Sequence, residues 1–147
     1  MNRDFVEMLQ ALNDARADYL IVGAHALAAH GRPRATGDLD IWVRPTPENA
    51  ARVFQALAAF GAPLGGVDIE TFSTPDNIFQ IGVVPCRIDI ITSIDGVEFD
   101  DAWPRKLDVD VSGVKVSILG REDLVRNKKA AARPKDLADL AALEEGD

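Results

Sequence analysis

The stretch from Gly37 to Val43, with the sequence Gly-Asp-Leu-Asp-Ile-Trp-Val, places two carboxylates at the start of an apolar run. Apolar residues alternate with Asp38, Asp40 and Trp42, and a period of two predicts a β-strand. On a strand, Asp38 and Asp40 lie on the same face, with Cα atoms about 7 Å apart. Because adjacent like charges repel, their proximity favours a bound divalent cation such as Mg²⁺. A strand edge with two solvated carboxylates is the alternative, since Asp-x-Asp alone is a weak motif.

Composition narrows the class of protein. Of the 147 residues, 47% are hydrophobic and 27% are charged, which is typical of one globular domain. We expect no membrane span and no signal peptide, because no apolar run reaches the required length. A single cysteine excludes an internal disulfide and predicts a cytoplasmic protein, in which Cys86 is a small buried side chain. The net charge of −8 excludes a general nucleic-acid coat, although a local basic patch is compatible with RNA binding.

The first part of the chain alternates helical and strand patterns. Helical spacing of apolar residues predicts a helix over residues 4–15, with Asp4 as its cap. A short strand over residues 19–23 then leads into a helix that ends at Gly31. A strand–glycine–helix junction can hold an anion, because Gly23 lets a phosphate approach the backbone and the first helical amides point towards it.

Beyond the acidic strand, a helix is predicted over residues 46–61, starting with Thr-Pro and ending at glycine. An irregular connection leads to strands over residues 78–82 and 86–92. Arg87 and Asp89 share one face of the second strand. A carboxylate in such an apolar strand is costly unless it is paired or bound to a metal. Pairing with Arg87 and metal binding therefore both stay open.

The last part begins with a predicted hairpin, in which strands over residues 107–111 and 114–118 flank a Ser-Gly turn. Asp108 and Asp110 repeat the Asp-x-Asp spacing, but we expect them to face water on a hairpin. Two helices follow, with apolar sides that begin near residues 121 and 134.

Six basic residues fall within fifteen positions of this otherwise acidic chain: Arg121, Arg126, Lys128, Lys129, Arg133 and Lys135. They form either a solvated surface or a cationic wall that holds a polyphosphate opposite the carboxylates. Adjacent lysines are about 100° apart on a helix, so we expect only one of Lys128 and Lys129 to face the cleft. Lys129 shares a face with Arg126 and is the preferred ligand.

Taken in order, the chain presents an apolar strand, Gly23-Ala24, a short helix, a loop with Arg34 and Thr36, Asp38-x-Asp40, and a later strand with Asp89. This order resembles the nucleotidyltransferase superfamily that includes DNA polymerase beta. Members have an apolar strand, Gly-Gly or Gly-Ser, Asp-x-Asp or Asp-x-Glu, and a third carboxylate on a separate strand. The match spans about residues 19–92. Ala24 departs from it, because the backbone amide is kept and the serine hydroxyl is not.

The resemblance implies an α/β (α+β) nucleotidyltransferase fold in a single domain, residues 1–147, with helices packed on a mixed β-sheet. The catalytic core would cover about residues 18–92, and the hairpin and basic helical tail about residues 105–147. The implied activity is transfer of a nucleoside monophosphate from an NTP to a hydroxyl, with release of pyrophosphate. Two Mg²⁺ ions would be held by Asp38, Asp40 and Asp89, and Asp89 would also be able to act as the base.

The resemblance also implies where the nucleotide binds. Gly23 and Ala24 would cradle the triphosphate through their amides. If the loop forms a phosphate site, Arg34 is placed to bind the triphosphate and Thr36 to form a hydrogen bond; in an ordinary loop both are merely solvated. Lys129 is the expected cation of the basic tail.

The expected partners are the NTP and an unidentified hydroxyl acceptor, and no membrane. A chain of 147 residues leaves little room for a separate acceptor domain, so we expect a small acceptor or one presented by a partner. The basic tail looks like that of small bacterial stand-alone members, which include antibiotic-modifying enzymes and toxins of toxin–antitoxin systems. The alternatives are therefore such a toxin, which modifies tRNA or protein and has a cognate antitoxin, or a non-catalytic interaction protein that retains the fold. An unrelated Mg²⁺ or Ca²⁺ domain is disfavoured, because no Asp-x-Asp-x-Asp-Gly loop is present.

Overall fold

A computed structural model of the protein describes residues 1–31, 37–83 and 86–145. The helices are α1 (Arg3–Asp14), α2 (Gly23–Ala29), α3 (Pro47–Phe60), α4 (Phe99–Ala102), α5 (Arg121–Ala131) and α6 (Pro134–Glu145). The strands are β1 (Tyr19–Val22), β2 (Leu39–Val43), β3 (Ile78–Ile81), β4 (Ile88–Ile91), β5 (Leu107–Val111) and β6 (Val114–Ile118). Short 3₁₀ turns cover Ile69–Phe72 and Trp103–Arg105.

The described strands form one mixed sheet in the order β3-β4-β2-β1-β6-β5. β2 runs antiparallel to β1 and parallel to β4, and β1 runs parallel to β6. The outer strands β3 and β5 are antiparallel to their neighbours, and β5 with β6 is the predicted hairpin. The predicted α/β architecture is therefore confirmed.

The core lies where α1 and α3 cover the sheet. α1 packs against α3 and β6, and α3 packs against β2. Met8, Leu9, Val53 and Leu57 are fully buried, and the burial of each such side chain contributes about 1.5–3 kcal/mol. The apolar stripes that predicted these two helices therefore make the contacts that hold them to the sheet.

Helix ends follow their capping residues. Thr46 accepts a hydrogen bond from the Asn49 amide and is followed by proline, and α3 ends at Gly61, whose φ of 93° is left-handed. The predicted cap of α1 was wrong. Asn2 caps this helix by accepting a hydrogen bond from the Asp4 amide at 2.7 Å, because the helix starts one residue earlier than predicted.

Cys86 also differs from the prediction, because it is exposed rather than buried. It lies before β4 begins, and Asn2 donates a hydrogen bond from Nδ2 to Cys86 Sγ at 3.4 Å. On the hairpin, Asp108 and Asp110 are exposed as expected, and Lys106 Nζ contacts Asp108 at 2.8 Å.

Two contacts join α5 to the loop that follows β4. Asn127 donates a hydrogen bond to the Asp95 carbonyl at 3.0 Å. Gly96 lies so close to α5 that a Cβ at this position would be 2.5 Å from Ala130 Cβ. The loop after β4 therefore joins the sheet to the pair of helices α5 and α6.

No helix in residues 1–31, 37–83 and 86–145 has both the length and the apolar character to span a bilayer.

Candidate active site

The sheet register brings together carboxylates that are far apart in the sequence. Asp40 on β2 is the direct neighbour of Asp89 on β4, and Val22 of β1 is the neighbour of Asp40 on the other side. Strands in register are about 4.8 Å apart, so these side chains share one small region of the sheet. Asp38 precedes β2 and joins them through Arg87, which binds both Asp38 and Asp89.

Gly23 lets the chain turn from β1 into α2 directly beside Asp40. Its φ is 69°, in the left-handed region, and a Cβ at this position would collide with Asp40 Oδ2. Glycine is therefore required at this point for two reasons, the backbone conformation and the contact with the carboxylate. The glycine that was predicted to allow close approach of a phosphate also allows close approach of Asp40.

Arg87 lies between two of the three carboxylates. Its Nε donates to Asp89 Oδ1 at 2.8 Å, and its Nη2 donates to Asp89 Oδ2 at 3.2 Å and to Asp38 Oδ2 at 3.3 Å. The hydrogen bonds to Asp89 raise the pKa of Arg87 above its usual value. Pairing with Arg87, one of the two alternatives left open for Asp89, is present in the structure and extends to Asp38.

Asp40 has the most perturbed carboxyl group of the site. Burial, followed by the charge of Asp89, a hydrogen bond with Asp89 and the charge of Asp38, raises its pKa from 3.8 to about 6. The positive charge of Lys135 acts in the opposite direction on this pKa. The charged form of Asp40 is therefore disfavoured first by burial and then by the negative charges of Asp89 and Asp38.

The side chains as placed do not meet the requirements of the two predicted Mg²⁺ ions. Carboxylate oxygens are the ligand type that Mg²⁺ prefers. Yet among the described residues no three His, Cys, Asp or Glu side chains are positioned to hold one metal ion. The guanidinium of Arg87 instead contacts both Asp38 and Asp89.

A cleft of about 460 Å³ opens in front of these residues. Gly23, Ala24, Asp38 and Asp40 form one wall, and the loop after β4 closes one side. Asp89 is only 7% exposed and does not line the cleft. Two of the three predicted catalytic residues and both predicted phosphate-binding residues therefore line the same open space, which lies within the size range of small-ligand pockets.

Cations of the basic tail form the opposite wall: Lys128, Arg133 and Lys135. Lys128 is buried, with its Nζ 3.2 Å from Asp136 Oδ1 and 3.1 Å from Asp139 Oδ2. Arg133 contacts Asp136 Oδ2 through Nε at 2.6 Å and through its backbone amide at 3.2 Å. Asp136 is fully buried. Although burial acts to raise its pKa, the hydrogen bonds from Arg133 and Lys128 hold that pKa below the usual value.

The preference for Lys129 over Lys128 was wrong in its geometry. Lys129 is exposed and does not line the cleft, whereas Lys128 does. The reason is that Asp136 and Asp139 of α6 draw Lys128 inwards, which turns its neighbour outwards. Sequence reasoning also missed Lys135 as an individual cleft residue. The sequence signal for Lys135 was that it is one of the six basic residues of this segment. Its position at the cleft depends on the packing of α6 against α5.

Other predicted residues have different positions. Arg34 and Thr36 lie outside the described residues. Arg126 contacts the buried Asp123 at 2.9 Å, and Arg121 donates to the Leu143 carbonyl. Arg121 and Arg126 therefore belong to the basic tail without lining the cleft.

No protein-family model matches the sequence, and no curated protein matches it. Solved structures do match it. A Thermotoga maritima protein described as a nucleotidyltransferase is 16% identical, with a TM-score of 0.60 over 97% of this chain and 89% of that one. The lincosamide antibiotic adenylyltransferase LnuA, solved with lincomycin bound, is 11% identical, with a TM-score of 0.61 over 98% and 96% of the two chains.

The chain has the nucleotidyltransferase fold. A nucleotidyltransferase-like protein from Paracoccidioides brasiliensis gives the same result, with 16% identity and a TM-score of 0.53 over 97% of this chain and 77% of that one. Identities this low establish the fold alone. The fold expected from the resemblance is thereby confirmed, and the nucleotidyltransferase fold accounts for a sheet that places Asp40 beside Asp89.

Proposed function

We propose that the protein transfers a nucleoside monophosphate from an NTP to a hydroxyl acceptor. The observation that carries this proposal is the cleft, which has Asp38 and Asp40 on one wall and three cations on the other within a nucleotidyltransferase fold. A triphosphate carries several negative charges, and a cleft that bound it against carboxylates alone would repel it. The opposing cations supply the compensating charge.

In the proposed reaction the acceptor oxygen attacks the α-phosphorus, the bond to the β-phosphate breaks and pyrophosphate leaves. The proton of the hydroxyl passes to a carboxylate that borders the cleft, either Asp38 or Asp40. Gly23 and Ala24 would offer backbone amides beside that carboxylate, and Lys135 would contact the phosphates. Arg87 keeps Asp89 away from the cleft, so Asp89 would take part only after Arg87 moves.

Metal dependence belongs to the same proposal. Carboxylates are the ligand type for Mg²⁺, and Mg²⁺ would neutralise charge on the phosphates. In the arrangement described here, however, Arg87 competes for two of these carboxylates.

We further propose a small hydroxyl-bearing molecule as acceptor. LnuA, whose structure this chain matches over 96% of its length, is an adenylyltransferase of a lincosamide antibiotic. An RNA acceptor is less favoured, because the charges of Lys128, Arg126 and Arg133 are each offset by a carboxylate of the same helix pair, and RNA binding depends on uncompensated positive charge. Modification of tRNA or protein by a toxin is the competing function.

The experiment that tests the proposal is incubation of the protein with Mg²⁺, a cell extract and each NTP in turn. Each NTP is labelled once on the α-phosphate and once on the γ-phosphate. We expect the α-label to appear in the small-molecule fraction, while the γ-label leaves as pyrophosphate. Label in tRNA or in a protein band would favour the toxin. Absence, with every NTP, of any α-labelled product other than the NTP and its hydrolysis products would contradict nucleotidyl transfer.

Lys135→Ala should weaken NTP binding by about 1–3 kcal/mol, the range for a hydrogen bond to a charged group. Lys135 lines the cleft and acts electrostatically on Asp40, so its ammonium lies close to where a triphosphate would bind. Calorimetric titration of the protein with each NTP measures the loss.

Lys129→Ala is the matched control, because it removes the same side chain from an exposed position of the same segment outside the cleft. It should leave the affinity for NTP nearly unchanged. Equal losses in the two variants would point to a general effect of net charge, and the absence of a loss in Lys135→Ala would remove this residue from the nucleotide site.

A further inference from the structure

The guanidinium of Arg87 binds the carboxylates that the proposed function needs for a metal. It forms two hydrogen bonds with Asp89, at 2.8 and 3.2 Å, and a third with Asp38 at 3.3 Å. Both oxygens of Asp89 are used in this way. A divalent ion coordinated by the same oxygens would compete with the N–H groups of Arg87 for their lone pairs, and its charge would repel the guanidinium.

An arginine at this position offsets part of the negative charge of the cluster without a metal. Guanidinium stays protonated throughout the physiological pH range, and its planar fork matches a carboxylate with two parallel hydrogen bonds. Asp89 is only 7% exposed, so its charge would be costly without a partner. Arg87 supplies that partner, and it thereby also occupies the oxygens.

We propose that Arg87 is an internal cation that competes with a divalent metal for Asp38 and Asp89. A metal then binds fully only when the Arg87 side chain leaves these carboxylates. This inference rests on the proposed function, because it takes the three carboxylates to be the metal ligands.

The surroundings of Arg87 permit such a movement. Its side chain is 28% exposed, against 10% for the side chain of Asp89, so the guanidinium lies on the solvent side of the pair. The backbone is fixed, because the Arg87 carbonyl accepts a hydrogen bond from the Leu39 amide at 2.9 Å. Rotation about the side-chain bonds is therefore enough to release the carboxylates, and the strands do not have to separate.

The test is a titration of the full chain with Mn²⁺ alone, followed by the electron paramagnetic resonance signal of the free ion. We expect Arg87→Gln to bind Mn²⁺ about tenfold more tightly than the wild type. Arg87→Lys should fall between them, since one ammonium cannot form the same forked contact with Asp89 and also reach Asp38.

Arg44→Gln is the matched control. Arg44 contacts Asp18 at 2.9 Å and also contacts Asp100, at the other end of β2, so this variant removes an ion-paired arginine of the same sheet outside the site. It changes the net charge by the same amount as Arg87→Gln. Its affinity for Mn²⁺ should equal that of the wild type.

Thermal unfolding with and without Mn²⁺ gives a second readout, should Arg87→Gln prove less stable. Saturating Mn²⁺ should raise the Tm of this variant more than that of the wild type. If the wild type transfers nucleotides and Arg87→Gln binds Mn²⁺ no more tightly than the wild type does, the inference is overturned and the proposed function stays intact. If the wild type neither binds Mn²⁺ nor transfers label from any NTP, the proposed function fails as well.

Discussion

Asp40→Asn should reduce nucleotide transfer by at least about 100-fold and at the same time make the metal-free protein more stable, by about 1–2 kcal/mol. The loss of activity follows because Asp40 borders the cleft beside Gly23, where the reacting groups would lie. The gain in stability follows because Asn has no charge for Asp38 and Asp89 to repel, and its amide can still donate a hydrogen bond to Asp89. Opposite effects of this kind are expected where function maintains a strained site.

The gain should depend on pH in a defined direction. Because the pKa of Asp40 is about 6 in the folded protein and 3.8 without the fold, the folded state binds this proton more tightly than the unfolded state. The contribution of the Asp40 carboxyl group to the free energy of unfolding of the wild type is therefore lost as the pH rises from about 4 to about 6. The Asp40→Asn variant lacks this loss. The stability of Asp40→Asn should therefore exceed that of the wild type only slightly at pH 4 and by the full amount at pH 7.

Urea unfolding in the presence of a chelator measures both quantities. Asp110→Asn is the matched control, because Asp110 belongs to the exposed Asp-x-Asp pair of the hairpin and its remaining oxygen can still accept the hydrogen bond from the Gly113 amide. This control should leave transfer and stability nearly unchanged. A marked destabilisation by Asp40→Asn would mean instead that the Asp40 charge is held by a structural ion pair.

Local sequence patterns were sufficient to predict the parts of the fold that depend on contacts between residues close in the sequence. The apolar run from Tyr19 to Val22 and the alternation in β2 predicted these strands, because burial follows the period of the side chains. Thr46 and Gly61 predicted both ends of α3 for the same kind of reason, since caps act within one turn. These contacts involve residues near each other in the sequence.

The candidate site required information that local patterns lack. The sequence placed Arg87 and Asp89 on one face, but the contact between Arg87 and Asp38 spans 49 residues and depends on β2 pairing with β4. The choice between Lys128 and Lys129 likewise depends on α6, whose carboxylates hold Lys128 inwards. The periodicity of one helix defines its faces and does not say which face a distant element will cover.

Gly23→Ala, at the junction between β1 and α2, should lower the stability of the protein by about 2–5 kcal/mol. A left-handed φ costs a residue other than glycine about 1–2 kcal/mol, and forcing an atom into a packed position costs about 1–3 kcal/mol more. At this position the second contribution comes from Asp40 Oδ2, which the new Cβ would strike. Transfer should fall as well, because the carboxylate that borders the cleft would be displaced.

Gly113→Ala separates the two contributions to the Gly23→Ala effect. Gly113 has a φ of 82°, and a Cβ there would have no heavy atom within 4 Å, so this control carries the backbone cost alone. In the double variant of Gly23→Ala with Asp40→Ala, the colliding oxygen is gone and the excess cost over Gly113→Ala should disappear. Urea unfolding of the wild type, Gly23→Ala, Asp40→Ala and the double variant gives this coupling energy directly. Equal losses in Gly23→Ala and Gly113→Ala would mean that Asp40 moves aside freely, and that the close contact with Gly23 does not hold its carboxylate in place.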